Sequence, residues 1–406
     1  MMVKKKLWDG YTSWSYLEPE IDFDVYPLEK QLNRFPEYDF KLTKAQEEQF
    51  EELIEKNIII DLHEHLNVFP KAGPRTPTRW IFQAYEGLAH SGFDAVISNG
   101  GMRYPTSDSS LNFLGMSQAD FAHQGLVIPA LEVNDIIKAH KENKVAVALS
   151  FESFNCIENN IDKIDLYFGL GLRACGLVYN NSNLIGSGLN EHLDSGLTDF
   201  GYDVIKRMNK TGLIIDVSHC SDLTALETAE ASDKPIIASH VGSRTLTNNM
   251  RMLPDEVLKT IAEKGGLIGV EVGGFAPRTK QHPEATIECA LDHIKYLIET
   301  LGADHVGGGP DTFWGDHPRM YKEGGESRKK RPSDDRSRSP NLPPKFDMYE
   351  LRAKLPLEQP YVRGLENPGE FTNIAKGLIR DGYSENEIKK VMGLNALRIM
   401  KTCWPK

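Results

Sequence analysis

Eight short runs rich in β-branched and small apolar residues recur along this chain, separated by longer stretches of helical character. They are Asn57–Asp61, Phe93–Ser98, Val145–Phe151, Leu172–Tyr179, Gly212–Ser218, Pro235–Ser239, Gly266–Val272 and His305–Gly309. Asp199–Thr211, Leu223–Ser232, Asp255–Lys264 and Thr286–Gly302 read as intervening helices. Asp222 and Pro254–Asp255 stand where helices start, and Gly265 and Gly302 where they end. Strands that alternate with helices must run parallel, because each crossover returns the chain to the same edge. The runs lack polar alternation, as expected of strands covered on both faces. Eight such units predict an α/β fold of the (β/α)8 TIM-barrel type. An open doubly wound sheet is the weaker alternative, since no GxGxxG follows the first run.

The flanks follow different rules. Residues 1–45 mix aromatics, acids and prolines without a period and read as an N-terminal arm packed on a barrel domain spanning 46–406. Tyr321–Pro344 is charged, rich in Ser and Pro, and nearly free of apolar residues, so it predicts a mobile insertion after the eighth strand. Phe371–Trp404 predicts two closing helices, with Ser384 and Glu387 in a capping-box pattern. Lys and Arg total 47 against 58 Asp and Glu, a net charge of -11, which argues against nucleic acid and anionic membranes as partners. No run approaches the roughly 20 apolar residues of a membrane span, and no apolar core follows the basic start MMVKKK. Five cysteines, scattered and without a CxxC pair, read as reduced thiols. These features predict a soluble cytoplasmic protein.

Catalytic groups of such a barrel sit at the C-terminal ends of its strands. The first run leads into Asp61-Leu62-His63-Glu64-His65, and alternation in extended chain points His63 and His65 the same way. Glu152 follows the third run, His219 the fifth (DVSH), His240 the sixth (IASH) and Asp311 the eighth (GGGPD). Imidazoles with carboxylates are the ligand set of Zn²⁺ or a similar divalent ion such as Mn²⁺. One or two ions fit the count of groups. With two, Glu152 is the natural bridging anion, because a carboxylate between two cations offsets their repulsion. Singly, each residue has a plainer role: a hydrogen-bonded His, an ion-paired Glu152, a turn-forming Asp311. Recurrence at separate strand ends favours the metal. Arg251 lies near the same mouth and suits a substrate carboxylate, with a salt bridge to Asp255 as the alternative and Arg244 as a competitor. Tyr179 and Asn180, after the fourth run, are positioned to donate to a developing oxyanion.

With these residues assembled, the chain resembles the membrane dipeptidase (renal dipeptidase) family of zinc peptidases, among the amidohydrolase-like barrels. The likeness is carried by GLTDFGYDVIKRMNKTGLIIDVSHCSD, PIIASHVGSRTL, RMLPDEVLKTIAEKGG and HVGGGPD, and resumes with YVRGLENPGEF. It implies two zinc ions bridged by Glu152, the first also held by His63 and the residue at 65, the second by His219 and His240. It further implies Asp311 as the proton-transfer group, Arg251 as the grip on a substrate carboxylate, and a homodimer. Three positions depart from the family pattern. His65 replaces an aspartate, Tyr179 replaces a histidine, and Met252 stands in place of an asparagine. The expectation is therefore a metal-dependent hydrolase that cleaves an amide in a small carboxylate-bearing substrate, a dipeptide or N-acyl amino acid. Two alternatives stay open. One is the same centre acting on a lactone, another C–N bond or a decarboxylation; the other is a non-catalytic degenerate barrel.

Overall fold

The structure, a computed structural model, describes residues 6–71, 80–100, 103–273, 278–317 and 361–405. The insertion expected at Tyr321–Pro344 lies outside them. Ten strands form one curled parallel sheet: β1 (Ile60–Phe69), β2 (Ala95–Asn99), β3 (Val127–Pro129), β4 (Val145–Phe151), β5 (Leu172–Gly176), β6 (Ile214–Asp216), β7 (Ile237–Val241), β8 (Leu267–Val270), β9 (Val306–Gly308) and β10 (Phe313–Gly315). The order is β10-β1-β2-β4-β5-β6-β7-β8-β9, with β3 pairing β4 on the side. One chain segment makes both ends of that series: β9 bonds to β8, and β10, a few residues later, bonds to β1. The eighth strand is thus split, and its two halves bring the sheet round on itself.

Every one of the eight runs read from sequence overlaps a strand, and Val145–Phe151 coincides with β4. The first differs most. β1 begins at Ile60 and runs on to Phe69 because β10 supplies partners to its far half, His65 opposite Phe313 and Phe69 opposite Gly315. The helix Asp199–Thr211 has the expected bounds, capped by the Thr198 side chain and ended at Gly212 in the left-handed region, φ 92°. Ser221, not Asp222, caps the next helix, Asp222–Ala231, so Asp222 falls in its first turn where an acid meets the helix dipole. The closing region holds three helices, Asn373–Arg380, Glu385–Lys389 and Asn395–Cys403, rather than two. The break falls at Gly393, where a Cβ would stand 2.1 Å from the Ile58 carbonyl oxygen. The Ser384–Glu387 capping box is present as read.

The barrel interior is small and aliphatic: Leu62, Ile97, Ala148, Ala174, Ile214, Ile237 and Leu267 pack with Ala396, Leu397 and Met400 of the last helix. That helix plugs the N-terminal end of the barrel, since Arg398 donates to the carbonyls of Gly265 and Asp304 and Trp404 to that of Arg173, all at strand starts. The opposite, C-terminal mouth is left for chemistry. Segments of residues 6–26 lie against the barrel wall. Asp120 accepts from Tyr11 Oη (2.7 Å), Ser13 Oγ (2.8 Å), the Trp14 amide (3.1 Å) and Tyr85 Oη (2.8 Å), and Trp14 is buried. Lys6 Nζ stands 2.5 Å from Asp94 Oδ1, with both side chains fully buried. All five cysteines are buried free thiols. Among the described residues no helix is long and apolar enough to cross a membrane.

Two tests follow from this packing. A Cβ on Gly309, in the split of the eighth strand, would stand 1.9 Å from the Ser239 carbonyl oxygen, whereas one on Gly115 meets nothing within 4 Å. Gly309→Ala is expected to lose about 1–3 kcal/mol or more in denaturant unfolding, while Gly115→Ala in its exposed helix gains about 0.5–1 kcal/mol. The second test concerns pH. Burial alone would raise the Asp94 carboxyl, but His140 and Lys6 beside it hold it below its ordinary value. A depressed folded value gives stability that is present above the unfolded pKa of about 4 and lost as pH falls through the folded one. Asp94→Asn should therefore show a shallower decline in unfolding free energy between about pH 5 and pH 3 than the parent.

Candidate metal centre

The strand ends deliver their side chains to one place. His63 Nε2 and His65 Nε2 stand 3.2 Å apart, and His65 Nε2 is 3.0 Å from Asp311 Oδ1. Glu152 Oε1 is 3.5 Å from His63 Nε2 and 3.6 Å from His65 Nε2. Beside them, His219 Nε2 and His240 Nε2 are 3.1 Å apart, and the rings of His63 and His240 stack at 3.6 Å between centroids. Two ligand groups emerge, His63, His65, Glu152 and Asp311 in one and Glu152, His219 and His240 in the other, with Glu152 common to both. Alternation along β1 works as expected. Glu64 points the other way, into the core, where it accepts from Trp314 Nε1 at 2.5 Å.

The rings are held from behind in a way that fixes their protons. His65 Nδ1 faces the Asn99 carbonyl at 3.2 Å and His219 Nδ1 faces Asn180 Oδ1 at 2.8 Å, so both carry hydrogen on Nδ1 and a bare lone pair on Nε2. Ser239 Oγ donates to Asp216 Oδ2 and therefore accepts from His240 Nδ1 at 2.6 Å, which leaves His240 Nε2 bare as well. Asp216 is itself satisfied by Ser218 Oγ (2.7 Å) and by the amides of Ser218 and Ser239 (3.0 Å each). It could form a third ligand group with His63 and His240, but those donors make it a support for the ends of β6 and β7.

Acceptor faces acceptor across the centre, a costly arrangement for buried groups unless a cation lies between them. With metal–nitrogen bonds of 2.0–2.1 Å, two ligands of a tetrahedral ion stand about 3.4 Å apart. The observed spacings of 3.0–3.7 Å match it. The donor set therefore fits a divalent metal, and hydrogen bonds to the far ring nitrogens are the usual support of such ligands.

Electrostatics divide the four imidazoles. Burial lowers His219 and His240 well below the ordinary histidine value, helped by Arg251 and His63 nearby. Burial also opposes charge on His63, but the Glu152 and Asp311 carboxylates outweigh it and the net shift is upward. Burial drives the carboxyls of Asp61 and Glu64, behind the site, well above their ordinary values.

The remaining residues read from sequence surround this centre. Arg251 does not meet Asp255, which binds Ser243, Thr245 and Tyr296. Its Nε lies 2.7 Å from Glu271 Oε2 and its Nη1 donates to the Ser218 carbonyl at 2.5 Å, while Nη2 is buried without a hydrogen-bond partner among the described residues. Arg244 is occupied by Asp222 and the Met252 carbonyl. Met252 is fully buried. The Tyr179 ring lies over His219, centroids 4.1 Å apart, and the Arg103 guanidinium carbon is 5.7 Å from the centroid of the Tyr179 ring. Asn180 holds His219, as described, from a left-handed backbone (φ 30°), and Asp311 is likewise left-handed (φ 57°). Sequence reasoning did not single out Asp216, Ser239, Asn99, Arg103 or Glu271. Asp216 and Ser239 stand inside the DVSH and IASH strings, so a signal was there; Glu271 closes the run Gly266–Val272 without any motif.

The sequence profile of the membrane dipeptidase family (peptidase family M19) matches residues 118–322 and 358–403. The chain belongs to that family. The matched stretches take in Glu152, His219, His240, Arg251 and Asp311 and leave out His63 and His65. A dipeptidase of Claviceps purpurea is 26% identical over 276 residues, 67% of this chain and 54% of that protein. An uncharacterized dipeptidase of Schizosaccharomyces pombe is 27% identical over 274 residues, 66% of this chain and 56% of that one. The chain thus spans little more than half the length of these relatives. Among solved structures, an amidohydrolase from Pseudomonas aeruginosa superposes with a TM-score of 0.70 at 25% identity, covering 88% of this chain and 99% of that one. A metallopeptidase from Rhodobacter sphaeroides, liganded with a phosphinate mimic of the dipeptide L-Ala-D-Ala, shares the fold at TM-score 0.63 and 17% identity, covering 86% of this chain and 100% of that one.

Asn180→Ala removes the acceptor behind His219 without touching a ligand atom. Metal affinity, measured by chelator competition, is expected to fall about 10–100-fold while the thermal stability of the metal-free protein stays nearly constant.

Proposed function

We propose that the protein is a metal-dependent hydrolase that cleaves an amide bond in a small carboxylate-bearing substrate, of dipeptide or N-acyl amino acid size. The observation that carries this reading is the convergence of four imidazoles with Glu152 and Asp311 on one buried point at the barrel mouth, in a chain of the membrane dipeptidase family. His63, His65, Glu152 and Asp311 would hold one divalent ion, Zn²⁺ or Mn²⁺, and Glu152, His219 and His240 a second. Such an ion supplies a Lewis acid for the carbonyl and an acidified water for attack.

The chain's own groups divide the remaining work. Asp311 takes the proton of the attacking water and returns it to the leaving nitrogen, as base and then acid. Its Oδ1, 3.0 Å from His65 Nε2, borders the reacting centre. Arg251 presents its remaining donor, Nη2, to the substrate's terminal group and so fixes the scissile bond relative to Asp311. Tyr179, stacked on His219, offers a phenol to the developing oxyanion, and Asn180 keeps that imidazole in place.

The test is a panel of dipeptides and N-acyl amino acids assayed with added Zn²⁺ or Mn²⁺, with metal content measured in the same samples. Asp311→Asn should lower kcat by roughly a hundred- to ten-thousand-fold and retain bound metal through the other ligands. His219→Ala should lose metal and activity together. Turnover of lactones with silence on every amide would replace the reaction, and a His219→Ala protein with full metal and full activity would remove the assignment.

A further inference from the structure

The substrate terminus meets an arginine that already has a carboxylate. Glu271 follows β8 directly, and its amide donates to the Val241 carbonyl at 2.8 Å, which sets it at the mouth beside the end of β7. Both Arg251 and Glu271 are 2% exposed, and Oε2 lies 2.7 Å from Nε. Nη1 is spent on the Ser218 carbonyl, one residue before His219. The guanidinium nitrogen without a hydrogen-bond partner among the described residues is Nη2, and it belongs to a charge-compensated pair.

From this pairing we propose that Glu271 is a specificity-determining residue: it damps the site's demand for a charged terminus, so that substrates blocked as C-terminal amides are accepted alongside free acids. The inference rests on the amide-hydrolase reading and narrows its substrate class. A free carboxylate approaching Nη2 gains the attraction of Arg251 but meets the repulsion of Glu271 in the same low-dielectric corner. An amide carbonyl also accepts from Nη2, more weakly, but meets no such repulsion. An unpaired buried arginine would instead select strongly for the anion. Glu271 acts through Arg251 and has no part in bond breaking.

The experiment compares a dipeptide with its C-terminal amide on the purified metal-loaded full chain. In the parent, the free-acid to amide ratio of kcat/KM should stay under about tenfold. Glu271→Gln keeps a polar side chain of the same shape beside Nε but removes the charge; it should raise the ratio by about tenfold or more, through a lower KM for the free acid. Glu271→Asp should restore the parent ratio. Both substrates are measured in one preparation, so differences in folding or metal content cancel. An NMR titration of an N-acetyl amino acid and its amide into the metal-free protein should shift in the same direction, free acid gaining in the Gln variant. A parent that rejects the amide by about a hundredfold, or a Gln variant whose preference stays level or moves toward the amide, overturns the inference. If neither substrate is cleaved with any metal, the amide-hydrolase reading fails by itself, and the titration still decides the role of Glu271.

Discussion

Lone pairs that face one another across a buried centre are the constraint from which the site takes its form. Three imidazoles have their protons committed to acceptors behind them, so Nε2 of His65, His219 and His240 can only accept; His65 meets the Asp311 carboxylate at 3.0 Å, and His219 and His240 meet each other at 3.1 Å. A folded chain tolerates such frustration where a cation resolves it. The surrounding architecture serves to keep these rings from turning away: Asp216 ties the ends of β6 and β7 together through two serines, and Asn180 and the Asn99 carbonyl fix His219 and His65.

The barrel supplies that rigidity because its two ends do different work. The C-terminal helix fills the bottom with Ala396, Leu397 and Met400, which leaves the top free of core-forming duty. Polar side chains at the mouth therefore displace no packing. The family relationship and the shared fold agree with this division, since the parts of the chain matched by the family profile include the strand ends from β4 onward.

Much of this was legible in the sequence, for physical reasons. Strands buried on both faces show as continuous apolar runs, which is why Val145–Phe151 could be read to the residue. The spacing of His63 and His65 fixes their common face by alternation alone. What stayed hidden depends on partners far away in the chain. β3 and β10 are three residues each, too short for a period, and exist through pairing with β4 and β1. Arg251 could be assigned to the mouth, but its partner, Glu271, comes from the next strand end, and nothing in a local string marks the pair. The sequence places Asn180 at the mouth, but that its Oδ1 accepts from the His219 imidazole depends on a partner 39 residues away and no local string marks it.

The split eighth strand has an effect on how this fold could evolve. Gly309, Pro310, Asp311 and Thr312 lie between the half that grips β8 and the half that grips β1, and Pro310 also accepts from the Val272 amide. The suture of the barrel and one carboxylate of the candidate metal centre are the same few residues. Insertions that reshape other loops at the rim leave the topology alone, but any lengthening here would unfasten the cylinder and displace the acid in a single event. Diversification of such a scaffold is thereby steered toward every rim loop except this one.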